Sequence, residues 1–188
     1  EQRYWGPSVH WVAEKHDDKG VYEADILTTI LDNETSTFHH VLVDSGVVLS
    51  ASAGYNMQHN VGPLEFDLEL KPDNVKKAIA LMHAEIKKMA SPDYFTDDEL
   101  SAAKQSTITN RLYDLENPVS FAIGTTASWW GIAGIPFYTN YLENIKKITR
   151  QDLADFAKKY LTQSYILGVG ANAETLKQLA LDPKEVLQ

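Results

Sequence analysis

Six histidines, His10, His16, His39, His40, His59 and His83, are the side chains best suited to hold a metal or move a proton near neutral pH. Helical metal-dependent hydrolysis needs two of them one turn apart beside an acid, as in H-E-x-x-H or its inverse H-x-x-E-H. The chain contains neither string. His39 and His40 are adjacent on a predicted helix and point about 100° apart, so they read as surface or helix-capping residues. His83 and Glu85 stand two apart on another helix, face different sides and read as solvated. Cysteine is absent, which excludes disulfides, thiolate metal sites and cysteine nucleophiles. No G-x-S-x-G elbow, phosphate-cradling P-loop or dinucleotide fingerprint occurs. Gly168-Val169-Gly170 lacks the following glycine and the ribose-binding acid, and strand packing accounts for it.

Two other groups could touch a ligand. Glu65, Asp67 and Glu69 project from one face of one predicted strand, about 7 Å apart. A solvated sheet face is the plain reading, and an acidic wall for a basic peptide is the functional one. Trp129-Trp130, with Trp5 and Trp11, could stack on a ligand, but the pair falls in a segment expected to be buried, where core packing is the default.

The elements that would position these residues follow from periodicity. Val9 to Glu14 reads as a short strand. A helix from about Asp17 to Asp32 places Val21, Ala24, Leu27 and Leu31 on one face. A short helix over Ser36 to Val43 stops at Asp44-Ser45-Gly46. Leu64-Glu65-Phe66-Asp67-Leu68-Glu69-Leu70 alternates without a fault, so one face is buried and the other wet. Val47, Leu49, Ala51, Ala53 and Tyr55 alternate similarly, and Met57 to Pro63 is short enough to close a hairpin. From Pro72 a helix carries Val75, Ala78, Ile79, Met82, Ile86 and Met89 as its apolar stripe, with Lys76, Lys77, Lys87 and Lys88 in water. Thr96 and Glu99 form a capping box opening a helix to about Glu116, and Thr149 with Asp152 opens another that carries Leu153, Phe156, Ala157 and Tyr160. A strand from Tyr165 to Ala171 and a helix from Ala173 to Leu181 complete the reading. The class is α+β: an antiparallel sheet with helices packed on one face. No linker or repeat divides residues 1–188, so one domain is expected.

Composition narrows the function. Seventeen Lys and Arg against 26 Asp and Glu give a net charge of -9, which argues against nucleic acid as a partner. Asn117 to Leu142 is the longest uncharged stretch but is too broken by Pro, Gly, Ser and Thr for a membrane span, and reads as a buried, Gly-interrupted helical segment. No basic region followed by an apolar one opens the chain, so no signal peptide is expected. A start at Glu1 is what a processed or trimmed half of something larger would show. The compartment stays open, bacterial periplasm and cytoplasm included.

Four stretches, in order, carry a family resemblance. They are Ser36-Thr37-Phe38-His39-His40-Val41-Leu42-Val43-Asp44-Ser45-Gly46 followed by Ser50-Ala51-Ser52-Ala53; Thr96-Asp97-Asp98-Glu99-Leu100-Ser101-Ala102-Ala103-Lys104; Leu115-Glu116-Asn117-Pro118; and Ile148-Thr149-Arg150-Gln151-Asp152-Leu153 with Ala157-Lys158-Lys159-Tyr160-Leu161. Together they resemble the C-terminal, non-catalytic domain of the pitrilysin or insulinase-like zinc metallopeptidases, the processing-peptidase group. The resemblance implies two similar halves closing around an unfolded peptide. One half binds zinc through H-x-x-E-H and a downstream Glu; the other walls the chamber and holds substrate. This chain lacks the zinc motif and matches the second half. It would bind no metal itself, the zinc belonging to a catalytic half on the same or a separate chain. Many second halves carry an Arg before the glycine turn and a Tyr after it; aligned on Gly46, those positions are Leu42 and Leu49. No catalytic residue is therefore carried over, and Glu65, Asp67 and Glu69 remain the candidate peptide contacts. The alternative is a proteolytically silent assembly or scaffold subunit of the same fold.

Overall fold

Strand β4 (Gly62–Glu69) is the axis of the sheet, in a computed structural model that describes residues 4–5, 9–11, 19–56, 62–125, 134–162, 165–182 and 184. It pairs antiparallel with β3 (Ser50–Tyr55) and with two short strands, β1 (Tyr4–Trp5) and β2 (Val9–Trp11). The β3–β4 register sets Ala51 opposite Leu68, Ala53 opposite Phe66 and Tyr55 opposite Leu64. Ala51 and Ala53 thus make room for Leu68 and Phe66, and Leu64, Phe66, Leu68 and Leu70 are buried. The alternation in β4 fixes this register, because a one-residue slip would drive three carboxylates into the core.

Helices cover the buried face. Helix α1 (Lys19–Leu31) buries residues almost all round its circumference, as a helix enclosed by other elements does. It packs on β3 and touches α4 (Asp97–Glu116), α6 (Ile135–Lys147) and α7 (Arg150–Phe156). Helix α2 (Thr37–His39), capped by Ser36, runs into a wider turn over His40–Asp44 and stops where Gly46 takes φ +71°, a conformation that suits glycine. Phe38 of α2 meets Phe66 of β4 with ring centroids 6.0 Å apart. Helix α3 (Val75–Met89) follows a tight turn at Pro72–Asn74 and buries Val75, Ala78, Met82, Ile86 and Met89, as its stripe requires. Both capping boxes form, Thr96 with Glu99 and Thr149 with Asp152. Helix α7 continues through a wider turn to Leu161 and buries Leu153, Phe156 and Ala157. Short helices α5 (Pro118–Ser120) and α8 (Ala173–Leu179) complete the described elements.

Four expectations need correction. Residues 165–171 do not form a strand: only Ile166 makes a bridge, while Val169 and Ala171 pack against the core from irregular backbone. Leu49 does not continue the inward row of β3. It is 56% exposed, because the chain is still turning from Gly46 and buries Val47 and Val48 in succession before the strand begins at Ser50. The 117–142 segment is not buried throughout. Val119, Phe121 and Ile123 are exposed, continuing a ridge begun by Leu112, Tyr113 and Leu115 at the end of α4. Trp129 and Trp130 lie outside the described residues, as do Met57 to Val61 of the hairpin connection. Finally, Glu85 is fully buried rather than solvated. Lys88 reaches its carboxylate at 2.6 Å, and Tyr94 beside it is raised above the ordinary phenol value, first by burial and then by the Glu85 charge. Among the described residues no helix is long and apolar enough to cross a membrane.

Candidate functional site

The face of the sheet opposite the helices is built from the alternate positions of β3 and β4. Ser50 lies opposite Glu69, Ser52 opposite Asp67, and Gly54 opposite Glu65. Ser50, Ser52, Gly54 and Asp67 are exposed, and Glu65 and Glu69 are half-buried. Ser50 Oγ donates to Glu69 Oε2 at 3.3 Å. No ion pair neutralises the three carboxylates among the described residues. Short side chains on β3 therefore leave a shallow acidic strip that an extended peptide could approach, with carboxylates available to its cations.

The other sequence candidates are scattered. His40 Nδ1 sits 2.5 Å from Asp44 Oδ2 on the surface. The backbone N–H of His39 donates to Ser36 Oγ at 3.1 Å. His83 packs edge-on against Tyr165 at 5.2 Å, and its pKa is lowered by burial and by the nearby Lys87 charge. His10 is described only as backbone, opposite Pro63, and His16 and His59 fall outside the described residues. No group of three or more His, Cys, Asp or Glu among the described residues is placed to hold a metal ion. Among the described residues the donors do not converge to fit a zinc ion. Leu42 is fully buried and Leu49 is an exposed aliphatic residue, so neither offers a polar contact.

A second feature lies within the helical layer. Helices α1, α4 and α6 leave a cleft of about 350 Å³ lined by Asp25, Thr28, Thr29, Thr107, Asn110, Arg111, Asp114, Phe137, Tyr138 and Tyr141. Aromatic packing sets its walls: Tyr22 of α1 stacks on Phe137 at 5.4 Å, and Tyr141 meets both rings. Tyr141 donates its hydroxyl to Asp25 Oδ2 at 2.6 Å. Burial pushes the Asp25 carboxyl up to about 6, although the tyrosine hydrogen bond opposes the rise. The Arg111 guanidinium lies over the Tyr138 ring at 4.1 Å and is 5.8 Å from that of Tyr141. Sequence reasoning missed this cleft. Two signals were available: an acid beside the apolar side of α1, and Arg111, one of only three arginines in the chain.

The family model described as the Peptidase M16 inactive domain matches residues 6–107, more than half of the chain. The chain belongs to that family. Its fold recurs in the inactive peptidase domain assigned to a zinc protease of Bordetella parapertussis, at 15% identity and TM-score 0.70, covering 90% of this chain and 92% of that one. The M16 inactive-domain chain is also similar to the first half of the periplasmic protease PqqL of Escherichia coli, at 18% identity and TM-score 0.72, covering 100% of this chain. A protease of Helicobacter pylori matches at 19% identity and TM-score 0.70 over 86% of this chain. The chain spans only 43% of the PqqL chain and 39% of the H. pylori one. No curated protein matches it by sequence.

Proposed function

We propose that this M16 inactive domain is the non-catalytic half of a zinc metallopeptidase and closes a peptide chamber against a half that carries H-x-x-E-H and the metal. The observation that carries this reading is the one-sided sheet: helices seal the Leu64, Phe66, Leu68 and Leu70 face, while no helix among the described residues covers the Glu65, Asp67 and Glu69 face. An uncovered sheet face gives an extended peptide a flat wall, and its carboxylates favour basic side chains. The zinc supplies the activated water when it is bound in the other half. This chain's part is to hold and orient peptide. The test is cleavage of peptides with zinc by this chain alone, by the catalytic half alone and by the two together. Activity confined to the combination is expected. Zinc-dependent turnover by this chain alone would overturn the proposal.

The apolar residues Leu42 and Leu49, at the positions where the resemblance places a substrate-holding polar pair, favour a second reading. In it the domain is a silent assembly or scaffold subunit. A catalytic half as fast alone as in combination would select that reading.

A further inference from the structure

The cleft between α1, α4 and α6 holds a carboxylate and a guanidinium, and no ion pair joins them. Asp25 is half-buried and has a tyrosine hydroxyl as its partner, with no cation among the described residues. Arg111 is half-buried, holds its guanidinium carbon over the Tyr138 ring at 4.1 Å, and makes no hydrogen bond or ion pair among the described residues. Its N–H groups, unpaired among the described residues, can take a carboxylate in a fork. Opposite charges sharing one cleft while standing apart leave room for a molecule that carries both complements. Asp114, exposed on the rim one turn beyond Arg111, adds attraction for a cation. Phe137 and Tyr141 give the same cleft an apolar wall.

We infer that this cleft binds a small zwitterion, an α-amino acid or a very short peptide, with its ammonium toward Asp25 and its carboxylate toward Arg111. At about 350 Å³ the cleft is at the lower end of ligand-site volumes, which suits one or two residues with an apolar side chain against the aromatic wall. The inference stands independently of the chamber reading, since it uses the helical layer and not the open sheet face.

The experiment is an NMR titration of the ¹⁵N-labelled chain with L-leucine and with leucyl-leucine, which separate the amino acid from the short peptide. N-acetyl-leucine (carboxylate only), leucinamide (ammonium only) and N-acetyl-leucinamide (neither) complete the set. Saturable shifts of the Arg111 side-chain N–H and of α1, α4 and α6 amides are expected with a zwitterion. Loss of either charge should weaken binding by about tenfold or more. Asp25→Asn should weaken L-leucine and leucinamide but spare N-acetyl-leucine, and Arg111→Gln should do the reverse. Native-like spectra of both unliganded variants guard against misfolding. Absence of saturable shifts, equal binding of the neutral N-acetyl-leucinamide, or insensitivity to both substitutions would overturn the inference.

Discussion

Asp25 and Glu99 are carboxylates moved in opposite directions by their surroundings. Burial holds Asp25 at about 6 against an ordinary 3.8, so between those values the folded state keeps a proton that the unfolded state has lost. Folding stability should therefore rise as pH falls through that window, and the ionised group weakens the fold above it. Asp25→Asn should remove this slope and leave the protein about 1 kcal/mol more stable near pH 7.5, after discounting for solvent access. Urea unfolding of both proteins from pH 4 to 8 measures it, and parallel pH profiles would refute the assignment. Glu99 is raised by burial, but hydrogen bonds from the N–H groups of Thr37 at 2.7 Å and Thr96 at 2.8 Å outweigh that, and its net shift is downward. Its contribution is present above 4.5 and lost as acid protonates it. Glu99→Ala should cost about 1–2 kcal/mol at neutral pH, the value of a capping box plus a second cap, and the gap should close on acidification.

At the scale of elements, the ends of helices were legible because capping is local. Thr96 with Glu99 and Thr149 with Asp152 lie three residues apart, and each pair closes within its own turn. Helix faces were less legible. The stripe of α3 is as expected, yet Glu85 lies beside it and is buried, because Tyr94 arrives from the following turn to cover it. The end of α4 differs again: Leu112, Leu115, Val119 and Ile123 are apolar, yet each is more than 40% exposed. Substituting Leu112 or Ile123 by Ser should change stability by no more than about 0.5 kcal/mol. Thermal melts of the two variants test this, and a loss above roughly 2 kcal/mol would place those side chains in a core.

At the scale of the molecule, the two sheet faces should respond in opposite ways to substitution. Phe66→Ala removes a ring packed on Phe38 and should cost about 3–5 kcal/mol. Replacing Glu65, Asp67 and Glu69 together by their amides should leave denaturant stability nearly unchanged, because all three point away from the helices. In the proposed two-half peptidase, the same triple variant should raise KM for basic peptides and leave KM for neutral peptides unchanged. A purely solvated face would leave both unchanged.

The sequence alone determined the α+β class, the buried face of β4, the capped helix starts at Thr96 and Thr149 and the family, since alternation, capping and short ordered strings are written within a few consecutive residues. Tertiary structure decided what depends on distant segments meeting. Residues 165–171 have strand-like composition but make only one bridge, as pairing is a property of the neighbouring edge rather than of the segment. Asp25, Arg111 and Tyr141 come from three helices far apart in the chain, and no local period relates them. Their juxtaposition and the altered proton affinity of Asp25 exist only once α1, α4 and α6 have packed and partly buried them.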